Sequence, residues 1–100
     1  MKQPEHFELA RRDGTEFRSV RLYAEADGSL KMLAQDMGPM VEKTWGDDDY
    51  EFWVTIPASG VRHLAQALLR EKYTGRLDAV DDLRRFCEAN GIENRFDSWA

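Results

Sequence analysis

The sequence predicts an α+β fold, a two-layer sandwich in which two main helices pack on one face of an antiparallel sheet of four to five strands. Segments of alternating apolar and polar residues, which are typical of strands, fill most of the first half of the 100-residue chain. Segments with helical spacing of apolar residues fill the second half. Glycine and proline separate these segments. The predicted order is β-β-β-(short α)-β-α-α-(short β), in one domain that spans residues 1–100.

Three strands are expected in an antiparallel meander before residue 38. The first, near residues 6–11, ends at the turn signal Asp13-Gly14, and its two alternating sets are Phe7, Leu9 and Arg11 against His6, Glu8 and Ala10. The second strand spans about 15–26, and Asp27-Gly28 is the clearest turn in the chain because both residues tolerate positive φ. In the second strand, Phe17, Arg21 and Tyr23 fall on the face opposite to Val20 and Leu22.

The segment after the third strand is predicted as a short helix, with an irregular loop as the alternative. Helices often have a proline at their first position and a glycine just after their last, and Pro39 and Gly46 have this arrangement. The next segment, from Tyr50 to Ile56, alternates strictly and is expected to be the fourth strand, ended by Pro57.

Two helices and a short edge strand are expected after Pro57. The first helix, from Ser59 as N-cap to about Tyr73, has an apolar stripe in which Leu68 is central and expected to be buried. The second begins with Asp78 as N-cap and ends at Asn90-Gly91. The aromatic residues of the tail predict that it docks, as a short strand.

Composition places the chain among ordinary globular domains, with 42% hydrophobic and 33% charged residues. No apolar run is long enough for a membrane span, and the first residues lack the apolar stretch of a signal peptide. A single cysteine, Cys87, agrees with a reducing compartment. A cytoplasmic location without membrane association is therefore expected.

No residue pattern in the sequence indicates catalysis. His63 falls on the polar side of its helix without a neighbouring nucleophile, and Cys87 falls on an apolar stripe, where thiols are unreactive. The contiguous carboxylates Asp47, Asp48 and Asp49 do not have the spacing of a calcium loop and are expected to form a solvated acidic turn. The sequence accordingly predicts a non-enzymatic protein with no catalytic residues, no cofactor and no metal site, and an enzyme without a recognisable motif is the remaining alternative.

The sequence instead predicts an interaction face. Aromatic residues and arginine are enriched where proteins bind each other, and the acidic turn lies beside the densest aromatic segment of the chain. The candidate residues are Phe17, Arg21, Tyr23, Trp45, Asp47, Asp48, Asp49, Tyr50 and Trp53. The expected partner is another protein or a second copy of the chain. The competing interpretation is that the short helix, the tail or a second copy merely covers these residues.

Two resemblances bear on the kind of partner. In size and charge the chain is similar to small acidic α+β proteins that neutralise a basic toxin or nuclease. The order of four strands followed by a helix after a proline is also similar to whirly-type and related transcriptional-coactivator folds, in which an open sheet stacks bases. That resemblance implies single-stranded nucleic-acid binding through Arg18, Arg21, Tyr23 and Trp53 as the alternative function. The net charge of −5 disfavours it, because an acidic protein repels phosphates.

Overall fold

The computed structural model describes residues 5–46 and 49–99 of the chain. Within these ranges it has four strands and three helices in the order β-β-β-α-β-α-α, which is the predicted α+β class. The elements are β1 (Glu5–Arg12), β2 (Phe17–Ala24), β3 (Leu30–Met37), α1 (Pro39–Trp45), β4 (Asp49–Ile56), α2 (Ala58–Tyr73) and α3 (Ala79–Ala89).

The four strands form one antiparallel meander with the spatial order β1-β2-β3-β4. Because successive side chains of a strand point to opposite sides, the strand register divides the sheet into two faces. One face, here called the mixed face, combines aromatic and charged residues: His6, Glu8, Arg11, Phe17, Ser19, Arg21, Tyr23, Lys31, Leu33, Gln35, Met37, Asp49, Glu51, Trp53 and Thr55. The other, here called the apolar face, is centred on Phe7, Val20, Leu22, Met32, Ala34, Phe52 and Val54.

A bulge in β1 corrects the alternation expected for the first strand. Glu8 pairs with Arg21, whereas Ala10 pairs with the adjacent residue Val20, so Leu9 is the additional residue. The bulge shifts the parity of the strand, and Arg11 therefore shares the mixed face with Glu8 instead of following Phe7. A period of two cannot reveal such an insertion, because each side of the bulge alternates correctly.

The predicted short helix is confirmed as α1, which packs beside β3 and β4 and contains the buried Val41. Pro39 is in its first turn, and Gly46 ends it in the left-handed conformation, donating its N–H to the Glu42 carbonyl. The Glu16 carboxylate accepts a hydrogen bond from the Met40 backbone N–H at 3.1 Å. This bond ties the start of the helix to the segment between β1 and β2.

The chain divides into two compact units, Met1–Ala65 and Gln66–Ala100. The first contains the sheet, α1 and the first half of α2. Because α2 begins at Ala58, Ser59 lies inside the helix and does not cap it, contrary to the prediction. Leu68, expected to be central in a buried stripe, has 56% of its surface exposed. The burial prediction for this residue is therefore wrong: helical spacing identifies an apolar stripe but not whether another element covers it.

The second unit contains α3 and the tail. The end of α3 is as predicted, since Gly91 is left-handed and the Ile92 N–H donates to the Cys87 carbonyl at 2.9 Å. Asp78 precedes the helix, but its carboxylate accepts hydrogen bonds from Arg76 instead of capping the helix. Residues 92–99 form no strand, which corrects the fifth strand expected in the tail. Their polar side chains bond locally, as in the hydrogen bond from the Asn94 amide to the Ile92 carbonyl.

Candidate interaction faces of the sheet

The structure brings four of the predicted aromatic and arginine residues onto one surface. Phe17, Arg21, Tyr23 and Trp53 all lie on the mixed face, because the β2–β3 and β3–β4 registers keep their strands in phase. Trp53 is 56% exposed, whereas the other three are half-buried. A large aromatic side chain left this exposed on a strand is a feature of binding surfaces.

Cations of the mixed face lie over its aromatic rings. The Arg11 guanidinium is 5.3 Å from the centre of the Phe17 ring, and the Lys31 ammonium is 5.0 Å from the centre of the Tyr23 ring. His6 pairs with Tyr23 across the strands and stacks on its ring, with the ring centres 5.7 Å apart. Sequence reasoning missed His6, Arg11 and Lys31 as members of this surface, and only strand register could have identified them.

Positive and negative charges balance on the mixed face. Three cations (Arg11, Arg21 and Lys31) are matched by three carboxylates (Glu8, Asp49 and Glu51). Glu8 and Arg11 form an ion pair of 2.7 Å, and the hydrogen bonds that Arg11 donates to Glu8 and, to a smaller extent, to Asp13 raise the pKa of Arg11. Asp49 accepts a hydrogen bond from the Gln35 amide at 3.0 Å. The surface is therefore close to neutral, although the chain has a net charge of −5.

Ser19 lies at the centre of the mixed face and is completely buried. Its hydroxyl oxygen has no hydrogen-bond partner among the described residues. Its cross-strand neighbours on this face are Arg11 and Gln35, two long side chains that can cover a small one. Ser19 therefore lies beneath these side chains and is not itself a surface residue.

The structure does not place Trp45 and Tyr50 with the other candidates. The Trp45 ring, at the end of α1, stacks on Tyr50 of the apolar face with ring centres 4.7 Å apart and an interplanar angle of 10°. Tyr50 in turn stacks on Phe52 at 5.6 Å. The predicted single interaction face is thus divided between the two sides of the sheet, with Asp49 on the mixed face. Asp47 and Asp48 lie outside the described residues.

Arg18 also lies on the apolar face, away from the residues with which the nucleic-acid interpretation groups it. Its guanidinium donates to both carboxylate oxygens of Asp36, at 2.5 and 2.6 Å, and lies 5.4 Å from the Phe52 ring centre. The hydrogen bonds from Arg18 hold the pKa of Asp36 below its ordinary value. This arginine is engaged within the sheet and is not available for a phosphate on the mixed face.

The apolar face is open to solvent over much of its area. Phe7, Met32, Phe52 and Val54 are all exposed, and Val54 is 63% exposed. A groove of about 310 Å³ runs over this part of the sheet, lined in part by Val20, Met32 and Val54. Contiguous apolar surface of this kind is typical of a protein interface.

The other residues considered for catalysis or metal binding are His63, Cys87 and the acidic side chains. His63 is exposed on α2, and Cys87 is buried on α3, as expected. Within residues 5–46 and 49–99, no group of three or more histidine, cysteine or carboxylate side chains is arranged to hold a metal ion. Over the same residues, none of the helices has both the length and the hydropathy needed to cross a bilayer.

Comparison with known proteins gives no relative: no protein-family model, curated protein sequence or solved structure matches the chain.

Proposed function

We propose that the chain is a non-enzymatic protein-interaction module that binds its partner through the mixed face, with Trp53 as the anchor. The observation that carries the proposal is the exposure of Trp53 on the same open face as Arg21, Tyr23 and Phe17. Tryptophan, tyrosine and arginine are the residue types that dominate binding energy at protein interfaces. Held on strands, they lose little additional freedom on binding.

The charge balance of the mixed face supports a protein partner over a nucleic acid. Single-strand binding sites follow the phosphate backbone with a positively charged groove. Here Glu51 and Asp49 lie on the same strand as Trp53, where they repel phosphates. Mixed charge of both signs suits a protein surface, because it fixes the orientation of the partner and rejects wrong ones.

Binding of a single-stranded nucleic acid is the second candidate function. It is favoured by one observation, the placement of Arg11 and Lys31 over the rings of Phe17 and Tyr23 on an open sheet face. Stacked bases and phosphates use the same combination of rings and cations. The placement of α2 after the fourth strand and Pro57 also supports this alternative, with α1 inserted between β3 and β4.

The test uses two matched tryptophan variants of the full-length protein. Trp53→Ala removes the anchor, while Trp99→Ala removes a tryptophan that is 98% exposed in the tail and belongs to neither sheet face. Immobilised wild-type and variant proteins capture partners from a nuclease-treated native lysate, followed by quantitative mass spectrometry. We expect a protein retained by wild type and Trp99→Ala and lost from Trp53→Ala.

Kinetics with the captured protein then separate the roles of ring and charge. Trp53→Ala is expected to accelerate dissociation, at a cost of about 2 kcal/mol or more. Asparagine at Asp47, Asp48 and Asp49 is expected to slow association, with an effect that fades as salt rises. In the capture experiment, equal retention of this protein by the wild type, Trp53→Ala and Trp99→Ala would contradict the proposal.

A labelled oligothymidylate measures the alternative in a fluorescence-anisotropy titration of the purified protein. Binding that weakens steeply with salt and is lost in both Trp53→Ala and Arg21→Ala would replace the protein partner with a single strand. The protein-partner proposal expects no salt-sensitive binding to this probe.

A further inference from the structure

The strand β4 forms one edge of the sheet. Its backbone pairs with β3 in unbroken register, from Leu30 with Ile56 to Met37 with Asp49. Over residues 50–56, no other described strand pairs with it. In an antiparallel ladder, the N–H and C=O groups of alternate residues point away from the neighbouring strand. The outer side of β4 therefore presents a row of backbone donors and acceptors.

The two edge strands of the sheet differ in how far they discourage pairing with another chain. Proteins protect exposed edges with bulges, prolines and charged side chains, of which lysine is the most common. β1 has the bulge at Leu9 and the adjacent cations Arg11 and Arg12. β4 has neither a register shift nor a proline, and its only charged side chains are Asp49 and Glu51. Of the two edges, β4 is therefore the one suited to the addition of a strand.

The described part of the chain contains no further strand for this edge. All four of its strands already belong to the sheet. Residues 66–99 comprise helical segments, turns and the irregular tail, and none of them has strand conformation. The backbone groups of a helix bond within the helix and cannot pair with a row of edge groups. The outer groups of β4 are therefore complementary to an extended segment from outside the described residues.

The side chains of β4 define the chemistry of that segment. Both of its charged residues are carboxylates, and Glu51 is exposed. A basic residue placed beside Glu51 on an added strand makes a favourable cross-strand pair, whereas an acidic residue there is repelled. On the other face of the strand, Phe52 and Val54 are exposed and favour aromatic or β-branched neighbours. The matching sequence alternates basic and apolar residues.

We propose that the protein partner adds an extended segment to the outer edge of β4 as a fifth strand, with a basic residue beside Glu51 and apolar residues beside Phe52 and Val54. The inference rests on the proposed function and deepens it, because the anchor Trp53 belongs to this same strand. Backbone hydrogen bonds along the edge supply affinity, and the alternate side chains supply specificity.

The first probe is a capped octapeptide that alternates valine with lysine, titrated into isotope-labelled full-length protein and followed by nuclear magnetic resonance. We expect the largest amide shift changes in residues 50–56. Replacing every lysine of the peptide with glutamate is expected to weaken binding by about fivefold or more. Largest changes outside β4, or equal binding of the two peptides, would overturn the proposal.

A methylated peptide separates strand addition from general attraction of a basic peptide to an acidic protein. It has the same side chains and charge, but every backbone nitrogen is methylated, so it can donate no backbone hydrogen bond. We expect its binding to be about tenfold weaker or more. Binding equal to that of the parent peptide would overturn the proposal.

Two charge-reversed variants of the protein locate the contact. Glu51→Lys is expected to weaken binding of the lysine peptide and strengthen binding of the glutamate peptide. The matched control is Glu5→Lys, which makes the same change at an exposed residue of the opposite edge strand, β1, and is expected to leave both affinities within about twofold. Equal effects of the two variants would overturn the assignment to β4. Amide shifts in residues 50–56 that depend on protein concentration without peptide would assign the edge to a second copy instead.

Failure of this inference is distinguishable from failure of the proposed function. A captured protein that depends on Trp53, together with no peptide binding at β4, would overturn the strand addition alone. Peptide binding at β4, together with capture that is unchanged in Trp53→Ala, would overturn the proposed anchor and leave the edge as the binding site.

Discussion

At the scale of single residues, the ion pair of Arg18 and Asp36 connects the sheet to pH. The guanidinium hydrogen bonds hold the pKa of Asp36 below its ordinary value of 3.8. The unfolded chain therefore binds a proton at a higher pH than the folded one. The resulting contribution to the free energy of unfolding is complete above the unfolded pKa and is lost as pH falls through the folded pKa.

Asp36→Asn is expected to lower the urea midpoint at neutral pH, and the difference from wild type is expected to be smaller at pH 3, which lies below the unfolded pKa of Asp36. The measurement is urea unfolding followed by circular dichroism at both pH values. Asp97→Asn is the control, because the Arg95–Asp97 pair is highly exposed in the tail and is expected to contribute little. A difference between wild type and Asp36→Asn that is as large at pH 3 as at neutral pH would contradict the electrostatic explanation.

At the scale of elements, Gly38 is required where β3 passes into α1. Its φ is 139°, and a Cβ atom built there would lie 2.4 Å from the Thr15 carbonyl oxygen. A backbone atom cannot move aside as a flexible side chain can, so both the conformation and the space favour glycine. Glycine at this position therefore allows the turn after β1, at Thr15, to lie close to the start of α1.

Gly38→Ala is expected to destabilise the protein by about 3 kcal/mol or more, the sum of backbone strain and steric overlap. Gly14→Ala is the matched control, since Gly14 also has positive φ, 121°, but a Cβ there would meet nothing within 4 Å. It is expected to cost about 1 kcal/mol. Chemical denaturation measures both, and equal losses would show that the contact with Thr15 is unimportant.

The elements themselves could be predicted from sequence to a large extent. Pro39 and Gly46 identified α1, and Asn90-Gly91 identified the end of α3, because these residues act through local backbone conformation. The bulge at Leu9 and the absence of a strand in residues 92–99 could not be predicted in this way. Both depend on the backbone hydrogen-bond partners that the rest of the fold offers. The residue pattern of one segment does not specify these partners.

At the scale of the whole molecule, burial differs between the two compact units. Strands β2 and β3 have neighbours on both sides and contain the buried Ser19 and Ala34. Among the described residues of Gln66–Ala100, only Cys87 is buried. Local opening exposes amides most easily where few groups are buried.

Hydrogen exchange with mass spectrometry is therefore expected to show the slowest amides in β2 and β3, with those of α3 exchanging at least about tenfold faster. Slower exchange in α3 than in β2 would contradict the assignment of the most stable region to the centre of the sheet.

The sequence by itself determined the α+β class, the strand order along the chain and the shared face of Phe17, Arg21, Tyr23 and Trp53, because these follow from periodicity and local turn chemistry. Only the tertiary structure decided that the Trp45 ring stacks on Tyr50, and that Arg11 and Lys31 lie over rings of the mixed face. It also decided that Leu68 is exposed. The physical reason is that register and burial depend on the partner element, and helical or strand spacing describes only one side of each contact.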